Sequence, residues 1–160
     1  MWSHDGAWIY FVNGADAQHA SLWKVPSEGG HAVQVAQYRA AYPVESPDGQ
    51  YVYFYREAKL WRVNANGTEE QQVRGMPHLC LVGDGWIPFG SGIYFRACES
   101  DGEDIDYLDL ETHKVKLIYK LQKPAGEYTG GLSVSADGKY LLYPQVDEQS
   151  SNLMLVENWR

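Results

Sequence analysis

The stretch Ser46-Pro47-Asp48-Gly49-Gln50-Tyr51-Val52-Tyr53-Phe54 decides how this chain is read. Pro47 presets φ for a turn, Asp48 can hydrogen-bond nearby backbone, and Gly49 can take the left-handed conformation that closes a tight hairpin. The run that follows is aromatic and β-branched, as strands are. Three more segments repeat the pattern. They are Ser3-His4-Asp5-Gly6-Ala7-Trp8-Ile9-Tyr10-Phe11, the degenerate Gly90-Ser91-Gly92-Ile93-Tyr94-Phe95, and Ser135-Ala136-Asp137-Gly138-Lys139-Tyr140-Leu141-Leu142-Tyr143. The glycines at 6, 49, 92 and 138 stand 43, 43 and 46 residues apart, the period of a four-stranded propeller blade. The aspartates of these turns read as turn formers rather than catalysts.

A second strand-like run follows each hairpin, at 21–25, 59–63, 105–110 and 152–156. Outer strands follow the first three, at 31–37, 70–74 and 115–121. In the last of these Val115, Leu117, Tyr119 and Leu121 alternate with Lys116, Ile118 and Lys120, a period of two. The same period rejects a helix over 103–123, and the repeat register rejects one over 31–42. Innermost strands are expected at 42–46, 79–82 and 132–135, with only a stub at Trp2-Ser3. The fold class is therefore all-β, a propeller segment of four repeats. Blades are expected at about 1–38, 39–75, 76–122 and 123–160. The first lacks most of its inner strand, and the last lacks its outer strand.

Composition narrows the function. The chain has 160 residues, 13 Lys+Arg against 21 Asp+Glu, and a net charge of −8. It has no basic run with which to bind nucleic acid. With 44% hydrophobic residues it is not disordered, and no apolar run is long enough to span a membrane. The N-terminus lacks the basic and apolar regions of a signal peptide, so the chain as it stands reads as cytoplasmic.

The Ser-Pro-Asp-Gly hairpin, the Tyr-Val-Tyr-Phe run and Leu60-Trp61-Arg62-Val63 before Asn64-Ala65-Asn66-Gly67 resemble the TolB-like, WD-like β-propeller repeats of bacteria. The end of the chain, from Gly131 through Gln145-Val146-Asp147 to Asn152-Leu153-Met154-Leu155-Val156-Glu157-Asn158-Trp159-Arg160, resembles the C-terminal end of propeller regions in bacterial multidomain regulators. Membership would imply a sensor or interaction module, periplasmic if it belongs to a longer membrane-anchored regulator. Those propellers commonly have more blades. The third repeat departs from the pattern, with Gly90-Ser91-Gly92 after an insert at 83–89.

An open arc of four blades leaves two apolar sheet faces in water, and such patches mark interfaces. Two chains joining into an eight-bladed ring would close by symmetry, the first blade of each meeting the fourth of the other. A single four-bladed ring and a piece of a longer propeller are the alternatives.

Catalytic and metal chemistry is sparse. Gly131-Leu132-Ser133-Val134-Ser135 lacks the second glycine of a nucleophile elbow. Ser21-Leu22-Trp23-Lys24 puts its Ser and Lys on opposite faces of a strand. His4, His19, His31, His78 and His113 have no zinc-like spacing. The acidic stretch holds Glu99, Asp101, Glu103, Asp104, Asp106, Asp109 and Glu111. Within it Asp101-Gly102-Glu103-Asp104-Ile105-Asp106 lacks the order of a calcium loop, and the stretch reads as a solvated hairpin loop between middle strands. Cys80 and Cys98 read as buried thiols, with a cross-strand disulfide as the alternative. Asn66-Gly67-Thr68 reads as a turn. The strand aromatics read as packing between blades.

Trp86 and Phe89, set among Gly and Pro in the insert, are the candidate recognition loop. Plugging the central channel or packing on the neighbouring hairpin is their alternative role. No catalytic residue, cofactor or metal is expected. The chain reads as a non-enzymatic binding or scaffolding module that forms a homodimer through its end blades. The alternatives are a C-terminal piece of a regulator's sensor propeller, or a hydrolase or lyase with a site in the central channel.

Overall fold

The computed structural model describes residues 1–16, 18–77, 85–99, 102–123 and 131–146. They form thirteen strands and no helix. The first sheet holds β1 (Trp8–Asn13), β2 (Ser21–Pro26) and β3 (Val33–Ala36) in that order, with Trp2 bridged to Ile9 as the stub of an inner strand. The second sheet is β4 (Ala41–Glu45), β5 (Tyr51–Arg56), β6 (Lys59–Asn64) and β7 (Gln71–Gln72). The third is β8 (Trp86–Phe89), β9 (Gly92–Glu99), β10 (Gly102–Asp109) and β11 (Val115–Lys120). A fourth begins with β12 (Ser133–Val134) and β13 (Leu141–Leu142). Each is an antiparallel meander, so this is a β-propeller segment, and both rejected helices are strands. The run expected at 152–156 lies outside the described residues.

Alternation along each strand assigns its two faces. In the second sheet Val52, Phe54, Trp61 and Val63 pack with Tyr10 and Leu22 of the first. Tyr53 and Leu60, on the opposite face, pack with Trp86, Ile93, Phe95 and Leu108 of the third. A third cluster joins Ile105 and Leu121 to Leu132 at the fourth sheet. Trp8, Tyr51, Tyr53, Phe54, Trp61, Tyr94 and Phe95 thus lie between blades, as expected, whereas Trp23 stands on the outward face of the first sheet. Burying Phe54 or Phe95 completely is worth about 1.5–3 kcal/mol each.

Polar contacts add to this stacking. The Arg56 guanidinium lies over Phe54 and Trp61, at 4.9 and 5.1 Å from the ring centres. It donates to the Tyr38 carbonyl at 2.9 Å, to the Gln37 carbonyl, and to Glu70. This side chain is one of several links between the first two sheets.

The third repeat departs most from expectation. Its inner strand is β8, drawn from the stretch read as an insert, while residues 79–82 lie outside the described residues. Trp86 and Pro88 point toward the second sheet, and Ile87 packs toward the fourth. Pro88 is tolerated because an inner strand is a sheet edge, where one side needs no ladder donor. The hairpin turn is shorter here, with Gly90 at φ 58°. Gly92 instead lets Tyr107 pack closely, since a Cβ there would lie 2.3 Å from that ring and from the Leu108 carbonyl.

The β5–β6 turn holds Glu57 and Ala58 at φ 51° and 61°, a left-handed pair that normally takes Asn-Gly. Ala58→Gly is expected to raise unfolding stability by about 0.5–1 kcal/mol, read as a higher urea midpoint at unchanged slope.

Candidate functional site

The Ser-x-Asp-Gly turns line one end of the sheets and share one set of bonds. The hydroxyls of Ser3, Ser46 and Ser135 donate to Asp5, Asp48 and Asp137 at 2.6, 2.5 and 2.7 Å. The same hydroxyls accept from the backbone N–H of Trp8, Tyr51 and Tyr140 at 2.8, 2.9 and 3.0 Å. Gly6, Gly49 and Gly138 sit at φ 72°, 70° and 70°. The serine hydroxyl is the first cause that holds each of these carboxyls below the usual 3.8, and backbone N–H donors add to it. These aspartates are committed to their own turns.

Beside the first turn lies a group that the sequence concealed. Glu45 ends the inner strand β4 at 5% exposure. Its carboxylate accepts from the His4 backbone N–H at 2.5 Å and pairs with His4 Nδ1 at 2.7 Å; it also accepts from the Tyr10 hydroxyl at 3.3 Å. Burial, then the Glu45 charge, pushes the Tyr10 phenol well above its ordinary value. The His4 ring is more than half exposed and oriented by a buried carboxylate. This is the arrangement of a proton acceptor in hydrolytic sites. Here it also latches the turn of the first sheet to the inner strand of the second.

A cleft of about 420 Å³ opens between the second and third sheets. Tyr53, Arg62, Asp48 and Pro88 are among the residues that line it. Arg62 lies 4.5 Å from the Tyr51 ring centre. With the Gln71 amide turned to face it, Arg62 donates to the Gln71 oxygen at 3.0 and 3.1 Å. Burial raises the Tyr53 phenol, and a hydrogen bond from Arg62 opposes the rise.

The expected recognition pair divides. Trp86 is 2% exposed and meets Tyr53 edge-on at 6.4 Å between ring centres. It is a core residue, because strand alternation turns it toward the second sheet, and it offers no surface for recognition. Phe89 is half-buried, tilted against Tyr94 at 6.3 Å, and touches the turn at Gly138. It packs on the neighbouring hairpin, the alternative role.

The acidic stretch is also corrected. Glu103 and Asp104 belong to β10 rather than a loop, Asp106 lies on it as the run at 105–110 predicts, and Asp104 and Asp106 are buried. Glu103 accepts from the buried Arg96 at 2.9 Å. Among the described residues no group of three His, Cys, Asp or Glu is placed to hold a metal. Cys80 and His78 lie outside the described residues, and Cys98 falls on β9.

The sheets and turns define a class, the β-propeller. Comparison with solved structures agrees on that fold, and TolB propellers are among the structures it resembles. A putative TolB from Agrobacterium tumefaciens superimposes with a TM-score of 0.67 at 21% identity, over 91% of this chain and 57% of that one. TolB from Acinetobacter baumannii gives 0.65 at 16%, over 85% and 35%. Oligogalacturonate lyase from Vibrio parahaemolyticus gives 0.53 at 13%, over 89% and 50%. The chain thus spans roughly a third to three fifths of these three structures. No family model matches the chain, and no curated protein matches it.

Two outcomes follow from the site. Glu45→Ala strands the donors of His4 and Tyr10 and is expected to cost about 2–3 kcal/mol in denaturant unfolding. The lowered turn carboxyls bind fewer protons folded than unfolded. Their stabilisation is therefore present above pH 3.8 and lost as pH falls through the lower folded values. Acid titration of the unfolding midpoint should show this loss, with a shallower slope in Asp48→Ala.

Proposed function

We propose that this chain is a non-enzymatic binding and scaffolding propeller module that associates with a second copy through its two end sheets. The observation that carries this reading is the outward face of the first sheet. Ile9, Phe11, Trp23 and Val25 stand together on it, cross-strand in register, with Trp2 beside Ile9. They are half-buried, Trp2 is 60% exposed, and none belongs to a hydrophobic cluster among the described residues. At the other end Tyr140 and Leu142 lie on the face turned away from Leu141 and the third sheet, each 70% exposed. A surface this apolar is stable when covered. The first sheet of each copy meeting the fourth of the other gives a closed two-fold ring of eight blades.

A second reading is a segment of a larger sensor propeller, whose neighbouring blades cover the same faces. It is favoured by the share of the matched structures that the chain spans. An enzymatic reading would rest on His4 and Glu45, but Glu45 is already engaged by two further donors.

Light scattering at micromolar concentration should give twice the 18.1 kDa chain mass. Trp23→Glu with Leu142→Glu should return it to the single mass with the far-ultraviolet spectrum unchanged. A monomer in the unsubstituted chain would overturn the dimer and leave the larger propeller.

A further inference from the structure

The outer strand of the third sheet carries chemistry that the ring does not use. β11 runs Val115–Lys120, is paired on one side with β10, and has no strand beside its other edge among the described residues. All six of its residues are exposed, including Val115, Leu117 and Ile118. The other complete outer strands are shorter: β3 has four residues, half of them buried, and β7 has two. An edge strand presents a row of backbone N–H and C=O groups that another strand can pair with.

The charge around this edge selects the partner. Lys114, Lys116, Lys120 and Lys123 fall within ten residues that contain no Asp or Glu, in a chain of net charge −8. Lys114 and Lys116 are exposed. On its inner side β11 already pairs with an acidic strand, β10, where Asp104 stands opposite Lys120 and Asp106 opposite Leu117. Pairing β11 with the β11 of a second copy would bring these lysines together, and like charges across a strand pair are destabilising. An acidic strand would meet them favourably.

We propose that β11 is a docking edge for an extended acidic peptide segment, added as a further strand of the third sheet. Backbone hydrogen bonds would supply register, Val115 and Leu117 apolar contact for alternate side chains, and Lys114 and Lys116 the choice of acidic over basic sequences. The proposal does not depend on the end faces that close the ring.

A short fluorescent peptide alternating glutamate and valine, titrated into the full chain at low salt and followed by anisotropy, tests it. Saturable binding is expected, weakening as salt is added. A peptide with lysine for glutamate should not bind. Amide hydrogen exchange should slow at residues 115–120. Lys114→Glu with Lys116→Glu should weaken the glutamate peptide about tenfold and admit the lysine peptide. The melting temperature of this variant checks that it is folded. Absence of saturable binding, equal binding of both peptides, protection confined to another strand, or an unchanged affinity in the folded variant would each overturn the proposal.

Discussion

A four-stranded sheet that is apolar on both faces has no side it can give to water, and every other feature of this chain follows from that constraint. Val52 and Phe54 look one way while Tyr53 looks the other, and each set is buried only because a neighbouring sheet supplies its complement. The stack therefore holds as a series of nearest-neighbour interfaces rather than around one central core. Polar contacts reinforce the same seams. Lys24 reaches from the first sheet to the Ala65 carbonyl of the second at 2.7 Å, and it crosses the Trp8 ring to do so. Its burial lowers the ammonium pKa. Glu45 and Arg56 join the same two sheets elsewhere.

The repeat was legible because a turn with left-handed φ and an alternating strand leave marks in the residues themselves. Ser46-Pro47-Asp48-Gly49 and its two close relatives form the same turn, with the same serine and aspartate bonds. The third repeat departs from the pattern where those marks overlap. Gly90 and Gly92 are two residues apart; only one takes the turn, and nothing local to the sequence distinguishes it from the glycine needed by Tyr107. Trp86 and Pro88 resembled a loop because Gly and Pro surround them. Their period of two is four residues long and was lost among those neighbours.

The candidate site was less legible for a different reason. Glu45 and His4 lie 41 residues apart, and they meet because consecutive sheets stack, a relation that spacing along the chain does not encode. The acidic stretch shows the converse. Its charges suggested solvent, yet strand alternation carries Asp104 and Asp106 inward, while the charged pair of Arg96 and Glu103 lies on the other face. Composition reports average environment, and pleating decides it residue by residue.

The turn bonds have a consequence for how the molecule comes to be assembled. Every contact between a turn serine and its aspartate or strand N–H closes over two to five residues. Such contacts demand little loop-closure entropy, so each hairpin can form before the long-range stacking that stabilises it. A nascent chain would acquire its hairpins one after another and lay each sheet on the last. The growing end would then always be an apolar face awaiting its neighbour, which makes the order of synthesis the order of burial.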